Sequence, residues 1–159
     1  MLYLPPETIA QELARISADL FMRIRPTDIL DIAFSNEKLR YRAENLNGYI
    51  QFYNHVSYWV ATLILTRGTP KERAQFITKS IRMLNYLGEL NDKNTIMGII
   101  SGLSVTEISR LKKSWALVSE ADLNDFRKWE LRVSDKSFQE SKSFCLPFLA
   151  SHMKQLVYI

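Results

Sequence analysis

Apolar residues recur along most of the chain at intervals of three and four, which is the spacing of one face of an α-helix. The first such stripe consists of Ile9, Leu13, Ile16 and Leu20. It predicts a helix that starts after Pro5-Pro6, ends before Pro26 and carries these four side chains on one face. A broader stripe predicts a long helix from about Leu46 to Thr66 that is buried on more than one side.

Local capping signals divide the rest of the chain into shorter helices. The segment 69–72, Thr-Pro-Lys-Glu, has the pattern of a capping box with proline in the first turn, so it predicts a helix start. The polar segment 90–94 predicts a turn with capping side chains. Further helix starts are predicted at Thr27, Thr106, Ser119 and Pro147. The short helix after Thr27 would carry Ile29, Leu30 and Ile32.

No strand-like alternation persists, and the predicted connections are short, with residues 35–45 as a polar one. The 159 residues, 47% of them hydrophobic, are enough for one domain with its own core. The pattern therefore predicts an all-α, single-domain, irregular helical array without internal repeats. A single cysteine, Cys145, fits a reducing compartment. Because we find neither a signal peptide nor a membrane span, we expect a cytoplasmic protein without direct membrane insertion.

Residues for covalent chemistry are scarce. The two histidines are His55 and His152, and Cys145 lies seven residues before the second. A Cys–His dyad needs a third orienting group, so a buried cysteine and a surface histidine are the simpler interpretation. No motif for a metal, a cofactor or a phosphate loop is present, and Gly98 and Gly102 have the spacing of helix-packing glycines. We therefore expect no catalytic residues, no bound metal and no cofactor.

A short basic cluster offers a remote alternative, a small basic helical domain that binds nucleic acid. Arg110, Lys112 and Lys113 precede Trp115, and basic residues beside an aromatic ring can hold nucleic acid. The net charge is only +4, and Glu107 lies one turn earlier. A charged helix face with the tryptophan in the core explains the same residues, so we expect no nucleic-acid partner.

Five segments in a fixed order carry a family resemblance. They are IAQEL at 9–13, NHVSYWVAT at 54–62, LNDKNTIMGIISGL at 90–103, ISRLKKSW at 108–115 and CLPFL at 145–149. Together they resemble the catalytic domain of Ras guanine-nucleotide exchange factors, the RasGEF family. The resemblance spans almost the whole chain, so residues 1–159 are identified as a partial RasGEF catalytic-like domain whose helical hairpin begins near residue 147.

The resemblance implies a guanine-nucleotide exchange factor for a Ras-family small GTPase. In the family the helical core holds the switch II segment of the GTPase, and the hairpin wedges switch I away from the nucleotide. No bond is broken, which agrees with the absence of catalytic residues. The factor prefers the nucleotide-free state, and by linkage it lowers the affinity of the GTPase for nucleotide.

Carried over by position, the switch II-binding residues are Ile50, Gln51, Asn54, Met97, Ser101, Ser104, Ser109 and Phe148. The hairpin residues are His152, Gln155 and Val157. The resemblance implies an apolar floor of Ile50, Met97 and Phe148 ringed by polar groups, which is the composition of a binding hot spot. Plain core packing of these three side chains is the alternative.

This sequence departs from the family pattern in ways that bear on function. The family usually has arginine where Gln51 stands and asparagine where Ser104 stands. The acidic continuation that follows the first hairpin helix is absent after Ile159, as are the second hairpin helix and the closing helices. A truncated, non-catalytic GTPase-binding module is therefore the alternative function. Exposed apolar surface at Leu149, Leu156 and Ile159 would favour self-association.

Overall fold

The chain folds as a succession of α-helices, which confirms the predicted fold class. A computed structural model describes residues 4–30, 36–140 and 143–157. Its helices are α1 (Pro6–Met22), α2 (Glu44–Leu65), α3 (Pro70–Glu89), α4 (Lys93–Ser104), α5 (Thr106–Ser109), α6 (Lys112–Trp115), α7 (Glu120–Ser134) and α8 (Leu149–Val157). Short 3₁₀ helices are Pro26–Asp28, Arg40–Ala43 and Lys136–Phe138. Within these described ranges, no helix combines the length and apolarity needed to cross a membrane.

The centre of the fold is the close packing of α2 against α4. A Cβ atom on Gly98 would lie 3.0 Å from the Val56 Cβ atom, and one on Gly102 would lie 2.7 Å from the Ser57 carbonyl oxygen. Only glycine allows two helices to approach this closely. The predicted packing role of the two glycines is confirmed.

The first helix is confirmed, and small side chains make up most of its fully buried face. The buried residues of α1 are Ile9, Ala10, Ala14 and Ser17. Leu13 is half-buried and Ile16 is 37% exposed. Small side chains are buried because α1 packs against α3 and α2 through them, and this leaves the larger Leu13 and Ile16 at the margin of the contact.

Two predicted helix caps are confirmed, and in both the capping side chain bonds to the backbone of its own first turn. Glu72 N donates to Thr69 Oγ1 at 3.2 Å, and Thr69 N donates to a Glu72 carboxylate oxygen at 3.1 Å, which completes the capping box. Ser119 accepts a hydrogen bond from Asp122 N at 3.1 Å at the start of α7. Tertiary packing is not needed for either arrangement, so sequence alone is sufficient.

Two other predicted caps are wrong. Val105, and not Thr106, precedes the first turn of α5, and no side chain caps it. Trp115 Nε1 donates to the carbonyl oxygen of Ile108 in this one-turn helix at 2.9 Å. Near Thr27 the structure has the 3₁₀ helix Pro26–Asp28, where the Asp28 carboxylate accepts from Arg25 N at 3.0 Å. The predicted position of Ile32 lies outside the described residues.

The turn between α3 and α4 is built on Asp92, a fully buried carboxylate. Its oxygens accept hydrogen bonds from Thr95 N at 3.0 Å, from the Thr95 hydroxyl, and from the Ser17 hydroxyl at 3.2 Å. Asn91 before it has a positive φ of 54°. The predicted turn is therefore confirmed, and Ser17 fastens it to α1.

Asp92 is expected to make the stability of the protein depend on pH. Burial raises the pKa of its carboxyl to about 6, although hydrogen bonds from Thr95 and Ser17 act in the opposite direction. The ordinary value is 3.8. Since the folded state holds this proton more tightly, the contribution to stability is complete below about pH 4 and is lost as pH rises through about 6. The expected loss is about 3 kcal/mol.

Urea unfolding of the native chain and of Asp92→Asn across this pH range measures the effect. Asp122 and Glu72, whose pKa values are lowered by hydrogen bonds from Arg82 and Thr69, are present in both proteins, so their contributions cancel. The difference in free energy of unfolding between the two proteins should change with pH by the expected amount. A difference that stays constant with pH would contradict the assignment.

Candidate functional site

One face of the α2–α4 pair carries most of the predicted site residues. Ile50, Gln51 and Asn54 lie within just over one turn of α2, and Met97, Ser101 and Ser104 follow each other at helical spacing on α4. Asn54 Nδ2 donates to Gln51 Oε1 at 3.4 Å. Because the glycines of α4 bring the two helices into contact, the two sets form one surface.

Tyr53 joins the two helices and Phe148 at the centre of this surface. Its hydroxyl lies 2.8 Å from Ser101 Oγ. Its ring packs against the Phe148 ring with 4.9 Å between centroids at an angle of 56°. Sequence reasoning missed Tyr53. An aromatic ring with a polar tip at a half-buried helix position, between Ile50 and Asn54, is the signal that could have found it.

The three apolar residues of the predicted floor are half-buried. Ile50, Met97 and Phe148 each keep part of their surface accessible, while Met97 also packs against the core cluster. This intermediate burial provides apolar surface on a rigid support, which suits the binding of a partner side chain.

The backbone around Phe148 is fixed by bonds to distant parts of the chain. Leu146 N donates to the Asn91 carbonyl oxygen, and Lys93 N donates to the Leu146 carbonyl oxygen, each at 3.0 Å. The buried Tyr49 hydroxyl donates to the Pro147 carbonyl oxygen at 2.8 Å. Burial, followed by the nearby Asp92 carboxylate, raises the pKa of Tyr49 far above its ordinary range, so the phenol remains a donor. Phe148 is therefore held in place before any partner binds.

Ser104 and Ser109 lie at a second part of the surface. Both line a cavity of about 340 Å³ together with Trp115, Phe126 and the α7 side chains Arg127 and Glu130. Ser109 Oγ donates to the Thr106 carbonyl oxygen at 3.1 Å and has no hydrogen bond to the α2 residues in the described structure. These two predicted residues therefore lie beside α7 side chains such as Arg127 and Glu130, which are distant in sequence and which sequence reasoning did not consider.

The predicted hairpin residues are only partly described. Helix α8 begins at Leu149, two residues after Pro147, and Phe148 precedes it. The ring nitrogen His152 Nδ1 lies 3.2 Å from the Phe148 carbonyl oxygen, to which it donates. The side chains of Gln155 and Val157, like those of Leu156 and Ile159, lie outside the described residues. Leu149 is half-buried.

The groups considered for chemistry do not form a catalytic arrangement in the described residues. No hydrogen bond joins the half-buried Cys145 to His152. Over the same parts of the chain, no three His, Cys, Asp or Glu side chains lie together in a way that could hold a metal ion.

The basic cluster lacks a free aromatic ring. Arg110, Lys112 and Lys113 are exposed, as expected for a charged helix face. Trp115 stacks on Phe126 with 5.5 Å between ring centroids, and its Nε1 atom is bonded to the Ile108 carbonyl. The ring therefore belongs to the core side of its helix and is not available to stack on a base.

The sequence that folds into this helical array matches a known family of domains. The RasGEF domain family model matches residues 8–159, and the chain belongs to this family. It is 32% identical to Ras guanine nucleotide exchange factor Q of Dictyostelium discoideum over 162 residues, which is 97% of this chain and 12% of that protein.

Two further relatives are also named as Ras guanine-nucleotide exchange or releasing factors. The chain is 31% identical to Ras guanine nucleotide exchange factor A of the same organism over 160 residues, which is 96% of this chain and 26% of that protein. It is 29% identical to the human Ras-specific guanine nucleotide-releasing factor RalGPS2 over 168 residues, 100% of this chain and 29% of that protein. The chain thus spans less than a third of the length of these relatives. The family resemblance inferred from the motifs is confirmed.

Proposed function

We propose that this chain is a guanine-nucleotide exchange domain for a Ras-family small GTPase, and that its α2–α4 face binds the switch II segment. The observation that carries the proposal is the half-buried floor of Ile50, Met97 and Phe148, held rigidly around Tyr53. An apolar or aromatic side chain of the partner would fill this floor. Its polar rim, Gln51, Asn54, Ser101, Ser104 and Ser109, would hydrogen-bond the surrounding backbone.

Exchange in this proposal is a linkage effect and makes or breaks no covalent bond. The domain binds the nucleotide-free GTPase more tightly than the loaded form, so it must weaken nucleotide binding by the same factor. Helix α8 follows directly from Phe148, so in this proposal it would lie next to the bound switch II segment. Its residues His152, Gln155 and Val157 would act on switch I. The support for this step is the family membership together with the fixed position of Phe148.

Release of a fluorescent guanine nucleotide from a panel of Ras-family GTPases tests the proposal. We expect the chain to accelerate release from at least one member, and excess unlabelled nucleotide should displace the GTPase from the chain. If no member responds at high micromolar protein but a nucleotide-free GTPase is retained in a pull-down, exchange is excluded and the chain is a binding module only. If neither is observed with any member, the proposed function is wrong.

A further inference from the structure

A polar cavity of about 280 Å³ lies beside the α3–α4 turn and serves no role in the proposed function. It is enclosed by the end of α3, the start of α4, the last turns of α7 and the 3₁₀ helix that follows. Its lining includes Asn91, Lys93, Trp129, Arg132, Ser137 and Phe138. Two of these residues are cationic, and neither takes part in the GTPase-binding surface.

Lys93 is an unusual lining residue for a lysine, because the residue is only 8% exposed. Its backbone nitrogen bonds to the Leu146 carbonyl, while its ammonium group lies over the Phe138 ring, 5.3 Å from the centroid. Within the described part of the chain, no carboxylate lies at ion-pair distance from this ammonium group. Because no described carboxylate neutralises this ammonium group, a ligand that supplies negative charge would bind favourably.

Arg132 supplies a second cation from α7. Its guanidinium lies 4.9 Å from the centroid of the Trp129 ring. The ring itself is fixed, since Trp129 Nε1 donates to Asn85 Oδ1 at 2.8 Å. Arg132 likewise has no ion pair among the described residues. Glu140 is the one carboxylate in the described lining, so the cations outnumber the acids.

We propose that this cavity binds a phosphate monoester group. A phosphate monoester carries close to two negative charges at neutral pH, which matches the two unpaired cations. The guanidinium of Arg132 can bind two phosphate oxygens with its planar fork, and Lys93 can act as a point charge. The Ser137 hydroxyl and the Asn91 amide are further donors in the lining. The volume leaves room for a small organic group on the phosphate.

Titration with inorganic phosphate and with glycerol 3-phosphate, followed by backbone amide NMR, tests the proposal. Sodium chloride at matched ionic strength controls for general screening. We expect saturable shifts at Asn91, Lys93 and Arg132. Lys93→Met and Arg132→Gln should each weaken binding roughly tenfold, because each removes a charge-assisted contact. Lys128→Met, on the same helix but outside the cavity, should bind as the native chain does.

Lipid vesicles distinguish a phosphate monoester on a lipid headgroup from one on a soluble molecule. Phosphatidylcholine vesicles with phosphatidic acid present a phosphate monoester, whereas those with phosphatidylglycerol present an anionic diester. Binding of the phosphatidic acid vesicles alone, lost in Lys93→Met, assigns the cavity to a lipid headgroup, and binding of glycerol 3-phosphate assigns it to a soluble ester. The proposal is overturned if none of these probes binds saturably, or if both cavity variants, folded by circular dichroism, bind as tightly as the native chain.

Discussion

Replacing Gly102 by alanine is expected to lower the free energy of unfolding by about 2 to 3 kcal/mol. The added Cβ atom would lie 2.7 Å from the Ser57 carbonyl oxygen and 2.9 Å from the Val60 Cβ atom. The first of these is a backbone atom, so the clash is relieved only if α2 and α4 move apart. For a domain of this size, the loss corresponds to a fall in melting temperature of roughly 5 to 10 °C.

Gly48 provides the matched control within α2. No atom lies within 4 Å of a Cβ built on this residue. Alanine there should raise the free energy of unfolding by roughly 0.5 to 1 kcal/mol, since it favours the helix without a clash. Chemical denaturation of Gly102→Ala and Gly48→Ala should therefore give changes of opposite sign. Changes of the same sign and size would be inconsistent with the close α2–α4 approach on which the site depends.

Truncation of Phe148 to alanine is expected to have the largest effect on the proposed GTPase binding. The ring supplies part of the apolar floor and packs on Tyr53, so its loss removes surface and support together. Loss of such an anchor costs about 2 kcal/mol, which corresponds to roughly 30-fold in affinity for the nucleotide-free GTPase. Calorimetry or surface binding with a GTPase that responds in the release assay measures this change.

Phe144 is the control for that variant. It lies four residues earlier, is 80% exposed and lines none of the surfaces assigned to the GTPase. Phe144→Ala should leave the affinity for the GTPase within about twofold, because an exposed side chain outside an interface contributes little. Equal losses in the two variants would show that Phe148 acts through general stability rather than through contact.

The sequence alone was sufficient to predict those helix caps whose interactions are local. The Thr69–Glu72 capping box and the Ser119 cap need only neighbouring residues, and both were predicted correctly. The apolar stripe of α1 does not coincide with its fully buried face, because that face depends on which neighbour packs against it, and small Ala10 and Ala14 allow a closer approach than Leu13 does. The cap at Thr106 was wrong because Val105 holds the extended conformation before the first turn, and no side-chain cap bond forms there.

The candidate site was predictable only through the family resemblance. Apolar residues such as Ile50 and Met97 look the same in sequence whether they are core or surface, and half-burial is known only from the packing. Tyr53 was missed because its role is a contact to residues 48 and 95 positions away. The polar cavity was missed for the same reason, since Lys93 and Arg132 lie on different helices.

Site-specific photo-crosslinking tests the central claim most directly. A photoreactive phenylalanine placed at the exposed positions Gln51 and Ser104 reports which surface meets the GTPase without disturbing the core. Lys71 and Leu131, exposed on other helices, serve as controls. We predict crosslinks from 51 and 104 to the switch II segment of the nucleotide-free GTPase, abolished by excess GTP. Crosslinks from the control positions alone would contradict the proposed binding surface.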